Sequence, residues 1–142
     1  MNKGKKISKG LLWTSYIIKS ILFVMFLTGA LNYLLLSERT VSSIVEMGYP
    51  KTSIPYLGIA LLFANILYLI PKTTFVGALF LTAYLGGAVA THVIHDDPIL
   101  NILSPVIFGV FVWFSIWLGN EKFEFKASFM KQSRLFKKTI LF

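Results

Sequence analysis

A chain of 142 residues has room for one domain, and this one is 56% hydrophobic, only 14% charged and carries a net charge of +8. That balance excludes an ordinary soluble globule, which scatters charge over its surface, whereas here the charges cluster at the ends and in short connections. The absence of cysteine excludes a disulfide framework, thiol catalysis, iron–sulfur ligation and a Cys-x-x-Cys relay within the chain. Its basic residues flank apolar stretches instead of forming one patch, so anionic lipid headgroups suit them better than nucleic acid, and no nucleic-acid partner is expected.

Lys3, Lys5, Lys6 and Lys9 precede the first apolar run. A secretory signal starts in the same way, and Thr28-Gly29-Ala30 imitates a cleavage site. Hydrophobicity nevertheless continues to Leu36, so residues 11–36 are read as an uncleaved first span. Lys19 interrupts it, and the reading adopted is a stem that snorkels toward the interface; the alternative is a cation buried in the bundle. Residues 37–53 form the longest connection, with Val41, Ile44, Val45 and Met47 on one face of a short interfacial helix that Gly48-Tyr49-Pro50 ends. The second span covers 54–70, and Pro71-Lys72-Thr73 reverses the chain tightly.

The third span, 74–94, organises the rest. Gly77, Ala83, Gly86, Gly87 and Ala90 recur at spacings of three and four, which predicts a stripe where a neighbouring backbone approaches closely. The fourth span, 99–119, contains Pro105, which frees a carbonyl that Ser104 or a neighbouring helix must satisfy. In residues 121–142, Phe125, Phe129, Phe136 and Ile140 oppose Lys126, Lys131, Arg134, Lys137 and Lys138, as in an amphipathic helix on an anionic leaflet.

These segments predict an all-α membrane protein: a four-helix transmembrane domain over residues 1–120, antiparallel, followed by a basic amphipathic tail. The N-terminus, the 71–73 turn and the tail are basic, while the opposite side is neutral over 37–53 and acidic at Asp96 and Asp97. The positive-inside rule therefore places both termini in the cytoplasm. Trp13, Trp113 and Trp117 then fall near the cytoplasmic interface and Tyr33, Tyr49 and Tyr56 near the outer one, as aromatic belts.

Polar residues inside spans are functional candidates. Asn32, Asn65, Tyr84, Thr91, His92 and Asn101, drawn from all four spans, are expected to converge on a polar pocket or to glue helices together. His92, His95, Asp96 and Asp97 have the right side chains for a surface metal site, but solvated residues at a helix end look the same, and no metal site is assigned. Two histidines on one helix do not sandwich a haem between helices. No P-loop, nucleotide fingerprint, nucleophile elbow or zincin motif occurs, and no catalytic residue is assigned.

Gly48-Tyr49-Pro50, Tyr68-Leu69-Ile70-Pro71-Lys72-Thr73, Gly77-Ala78, the run from Leu81 to His92 and Asp97-Pro98 together resemble the DoxX-like family, small bacterial proteins with four predicted spans. The resemblance implies relatives that serve as small subunits of quinol oxidase or thiosulfate–quinone oxidoreductase systems. It also implies a lysine late in span one and a glutamate in span two, where this chain has Asn32 and Leu61. The expectation is therefore a non-catalytic accessory or partner-binding subunit of the inner membrane, associating with other membrane subunits or with itself. The alternative is a quinone-binding subunit of a membrane oxidoreductase, with the headgroup near Tyr84 and His92; no other cofactor is expected.

Overall fold

The computed structural model describes residues 9–119. The lysines at 3, 5 and 6 and the tail of residues 121–142 lie outside them. Helices α1 (Lys9–Leu34), α2 (Glu38–Glu46), α3 (Ile54–Leu69), α4 (Thr74–Ile94) and α5 (Ile99–Gly119) make up the described residues, with a 3₁₀ turn at Lys51–Ser53 and no strand among them. Four of these segments (α1, α4, α5, and α3 extended back to Lys51) are long and apolar enough to cross a membrane.

Local chemistry explains where each helix stops. α1, α2 and α4 end alike, with a residue in the left-handed region after the last turn: Leu36 (φ 50°), Gly48 (φ 87°) and Asp96 (φ 56°). Each time the next N–H reaches five residues back, from Ser37 to Asn32, Tyr49 to Ile44 and Asp97 to His92, while the left-handed residue's own N–H reaches three back. This is the double closure that satisfies a helix's last carbonyls. Glycine favours it at position 48, whereas leucine at 36 gives no such sign, so the sequence reading ran span one two residues too far. α3 ends because Ile70 must be extended (ψ 121°) before Pro71. Pro105 sits inside α5 and frees the Asn101 carbonyl, which the Ser104 hydroxyl takes up at 3.0 Å.

The four spans form a ring in which α1 lies beside α3 and α5, and α4 lies beside the same two. The pairings are specific. Asn65 meets Phe23 and Gly58 meets Ala30, while Ser115 meets Ser15 and Phe108 meets Phe26. Inward positions recur at alternating steps of four and three, clearest at Ile54, Gly58, Leu61, Asn65 and Tyr68 of α3. That is the seam of side chains that knobs-into-holes packing needs. Leu22, Phe26, Leu61, Leu81, Leu85, Val112 and Ile116 fill the centre. The outer faces stay apolar and exposed, with Trp13, Ile21, Val110 and Trp117 among them, as a surface facing hydrocarbon requires.

The reading of one residue changes here, and another gains a partner. Lys19 does not snorkel outward: it is 7% exposed, with Nζ 5.9 Å from the centre of the Tyr68 ring. Its face of α1 is the one carrying Ser15, Leu22 and Phe26, all turned into the bundle. Trp113, unlike the exposed Trp13 and Trp117, is half-buried. Its indole N–H donates to Thr82 Oγ1 at 3.0 Å and its ring packs edge-on against Phe75, tying α5 to α4.

Candidate functional site

Small residues on α4 work in two ways. At Gly77 an added Cβ would lie 2.1 Å from the backbone N of Tyr68, so α3 and α4 touch backbone to backbone just past the 71–73 turn. The turn is held by Thr73 and Thr74, whose hydroxyls donate to the carbonyls of Leu67 and Ile70. Further along, a Cβ at Gly86 or Gly87 would meet nothing within 4 Å. Ala83, Gly86, Gly87 and Ala90 are all exposed, which corrects the expected close-packing stripe at those four positions. The turn at 71–73 brings the first turns of α4 into backbone contact with α3, and the surface at Gly86 and Gly87 stays open.

Part of that surface walls a cavity of about 500 Å³. Ala83, Tyr84, Gly87, Ala88, Thr91 and His92 form the α4 wall, Tyr33 of α1 and Leu57 of α3 contribute opposite, and Arg39, Thr40, Ser43 and Ile44 of α2 cover it with Met47 and Tyr49. The apolar face expected on α2 is thus divided: Ile44 and Met47 line the cavity, and Val45 is exposed. The Tyr84 phenol is flanked by those of Tyr33 and Tyr49. Tyr49 Oη lies 2.6 Å from Thr91 Oγ1, pinning the loop after α2 to α4. His92 Nδ1 lies 2.5 Å from Asp97 Oδ2, both side chains largely sheltered, because the left-handed turn at Asp96 folds the chain back over the helix end. Among the described residues, no three His, Cys, Asp or Glu side chains come together to hold a metal ion.

Of the six polar residues expected to converge, the structure brings Tyr84, Thr91 and His92 together on the cavity wall. Asn32 and Asn101 are exposed instead. Asn65 is fully buried between α1 and α3, donating to the Phe23 carbonyl at 3.0 Å while its Oδ1 has no partner. Near it lies a second polar group: the Tyr68 hydroxyl, 2.5 Å from Ser115 Oγ, with Ser15 donating to the Ser115 carbonyl and Lys19 over the Tyr68 ring. Sequence reasoning missed Tyr33, Tyr49 and Arg39 as cavity residues. The two tyrosines read as interfacial aromatics, and only the fold of the 37–53 connection reveals their shared target.

Residues 17–115, which reach into all four spans and include the connections between them, match the family model described as the DoxX-like family. The protein belongs to the DoxX-like family. It is a multi-pass membrane protein of four apolar helices. No curated protein and no solved structure matches this DoxX-like chain.

Proposed function

We propose that this DoxX-like protein is a non-catalytic accessory subunit of the bacterial inner membrane whose tyrosine-walled cavity receives the ring of a lipid-soluble molecule. A quinone-type headgroup is the proposed class of ligand, held for a partner membrane oxidoreductase. The observation that carries the reading is the cavity itself. At about 500 Å³ it falls within the ~300–1,000 Å³ of small-molecule sites, and its apolar lining has a few placed polar groups. Gly87 and Ala88 leave the space, Tyr33, Tyr49 and Tyr84 offer ring faces, and His92 and Arg39 offer polar contacts.

The proposed topology is antiparallel with both termini cytoplasmic and the cavity near the outer boundary. Support comes from the pairings of Asn65 with Phe23 and of Ser115 with Ser15, and from the basic residues around the N-terminus and Lys72. In that arrangement the basic 121–142 segment meets anionic lipid at the cytoplasmic face. Reporter fusions at Lys72 are expected to read cytoplasmic and those at Asp97 external; the reverse would place the cavity on the other leaflet. Purified protein in lipid nanodiscs is expected to bind a short-chain quinone analogue saturably, and Gly87→Leu to abolish binding by filling the cavity. Absence of saturable binding in the wild type would refute the ligand-binding reading.

A further inference from the structure

Hydrogen bonds already made around the cavity decide what its rim still offers a ligand. Asp97 Oδ2 sits 2.5 Å from His92 Nδ1. A carboxylate can only accept, so in the neutral imidazole the proton is on Nδ1, and Nε2 is left as a bare acceptor. Thr91 Oγ1 donates its single proton to the Gly87 carbonyl at 2.9 Å. The contact between Tyr49 and Thr91 must therefore be donated by Tyr49, whose oxygen then has only lone pairs to offer. His92 on α4 and Tyr49 in the loop after α2 thus present acceptors. On the α2 side Arg39 presents a guanidinium, which only donates, and the hydroxyls of Tyr33, Thr40, Ser43 and Tyr84 also line the cavity.

We infer that the cavity selects a ring bearing a hydroxyl group, of the phenol class, over the matching ether, and that Asp97 sets this preference by fixing the tautomer of His92. The inference rests on the reading of the cavity as a ligand site and specifies its chemistry. A hydroxyl donates to His92 Nε2 and still accepts from Arg39. The matching ether serves Arg39 but leaves Nε2 facing another acceptor. A carboxylate meets that lone pair and the Asp97 charge as well. Sites built to bond a hydroxyl discriminate strongly against analogues that lack it, because their own polar group is left unpaired. Asp97 is a positioning residue here, acting only through the imidazole, in the way that a carboxylate orients a histidine elsewhere in protein chemistry.

The test uses the full chain in nanodiscs at pH 8.5, with 4-hexylphenol and its methyl ether as probes and empty nanodiscs as the blank. The wild type is expected to bind the phenol at least about tenfold more tightly than the ether. The His92 side-chain ¹⁵N spectrum should show a protonated Nδ1 and an unprotonated Nε2. Asp97→Asn frees the tautomer, because an amide both donates and accepts. It should narrow the preference to less than about threefold and mix the two ¹⁵N signatures, with melting unchanged. Equal binding of both probes by the wild type would overturn the inference while leaving the cavity a ligand site. A wild-type preference retained in Asp97→Asn would overturn the assignment to Asp97. Saturable binding of neither probe would sink this inference together with the reading of the site.

Discussion

Gly77 and Gly87 stand on the same helix and do opposite things. Gly77 lets two backbones touch, since any Cβ there would collide with the amide of Tyr68. Gly87 has nothing within reach and leaves space that the 37–53 connection covers with α2 and Tyr49. One end of the bundle is closed, with Tyr68, Ser115 and Val112 fully buried. The other end is walled with phenols around a void. The difference teaches that a small residue in a membrane helix records missing volume only. Whether a neighbour fills that volume is decided by chain geometry, here the short turn at 71–73 against the longer path through 37–53.

Substitutions can break or sharpen this contrast. The largest effect is expected at Gly77→Ala, where one methyl group must push α4 away from backbone that cannot rotate aside. A cost of about 3 kcal/mol or more follows from overpacking, read as a much lower melting temperature in detergent. Melting like that of the wild type would mean that the closed end is not closed. Next comes Tyr68→Phe at the same end. It removes the hydroxyl bonded to Ser115, but Ser115 still donates to the Val112 carbonyl at 2.8 Å, so no donor is orphaned. The expected loss is about 1 kcal/mol; a loss several times larger would show that the hydroxyl anchors more of the cluster around Lys19.

Asn65→Leu should cost less still. The amide's bond to the Phe23 carbonyl is lost, yet that carbonyl lies within α1, and the unpartnered buried Oδ1 disappears with it. Near-neutral stability, within about 0.5 kcal/mol, is expected in equilibrium unfolding, because removing an unsatisfied buried group offsets the lost hydrogen bond. The smallest effect on the fold belongs to Gly87→Leu, which meets empty space and replaces a poor helix former by a good one. Its melting temperature should match or slightly exceed that of the wild type even as ligand binding disappears. A destabilised Gly87→Leu protein would mean that α4 packs backbone to backbone there too.

The four spans were legible because crossing a hydrocarbon layer demands about twenty apolar residues per helix, a signal carried by each segment alone. Residues 74–94 and 99–119 are helical over the ranges read from the sequence. The freed Asn101 carbonyl was equally legible, since Pro105 removes the bond to the residue four before it, and of the two expected partners, Ser104 or a neighbouring helix, Ser104 takes it up. The candidate site was legible only in its α4 half. Tyr84, Thr91 and His92 share one helical face, so periodicity alone groups them. Tyr33, Arg39 and Tyr49 join them from other segments, and no periodicity links residues on different elements.

By itself, then, the sequence determined that this is a membrane protein, where its helices run, and which residues share a face of each. Those properties follow from local backbone satisfaction and the apolarity of the solvent. Tertiary structure alone decided that Gly77 is a contact and Gly87 a gap, and that Lys19 and Asn65 turn inward while Asn32 and Asn101 turn out. It also decided that His92 answers to Asp97 and not to His95. Each of these depends on which surface another segment covers and on a single left-handed residue at a helix end. A helix that is apolar all round can turn any face toward its neighbours, and the choice belongs to the partners and the connections that bring them there.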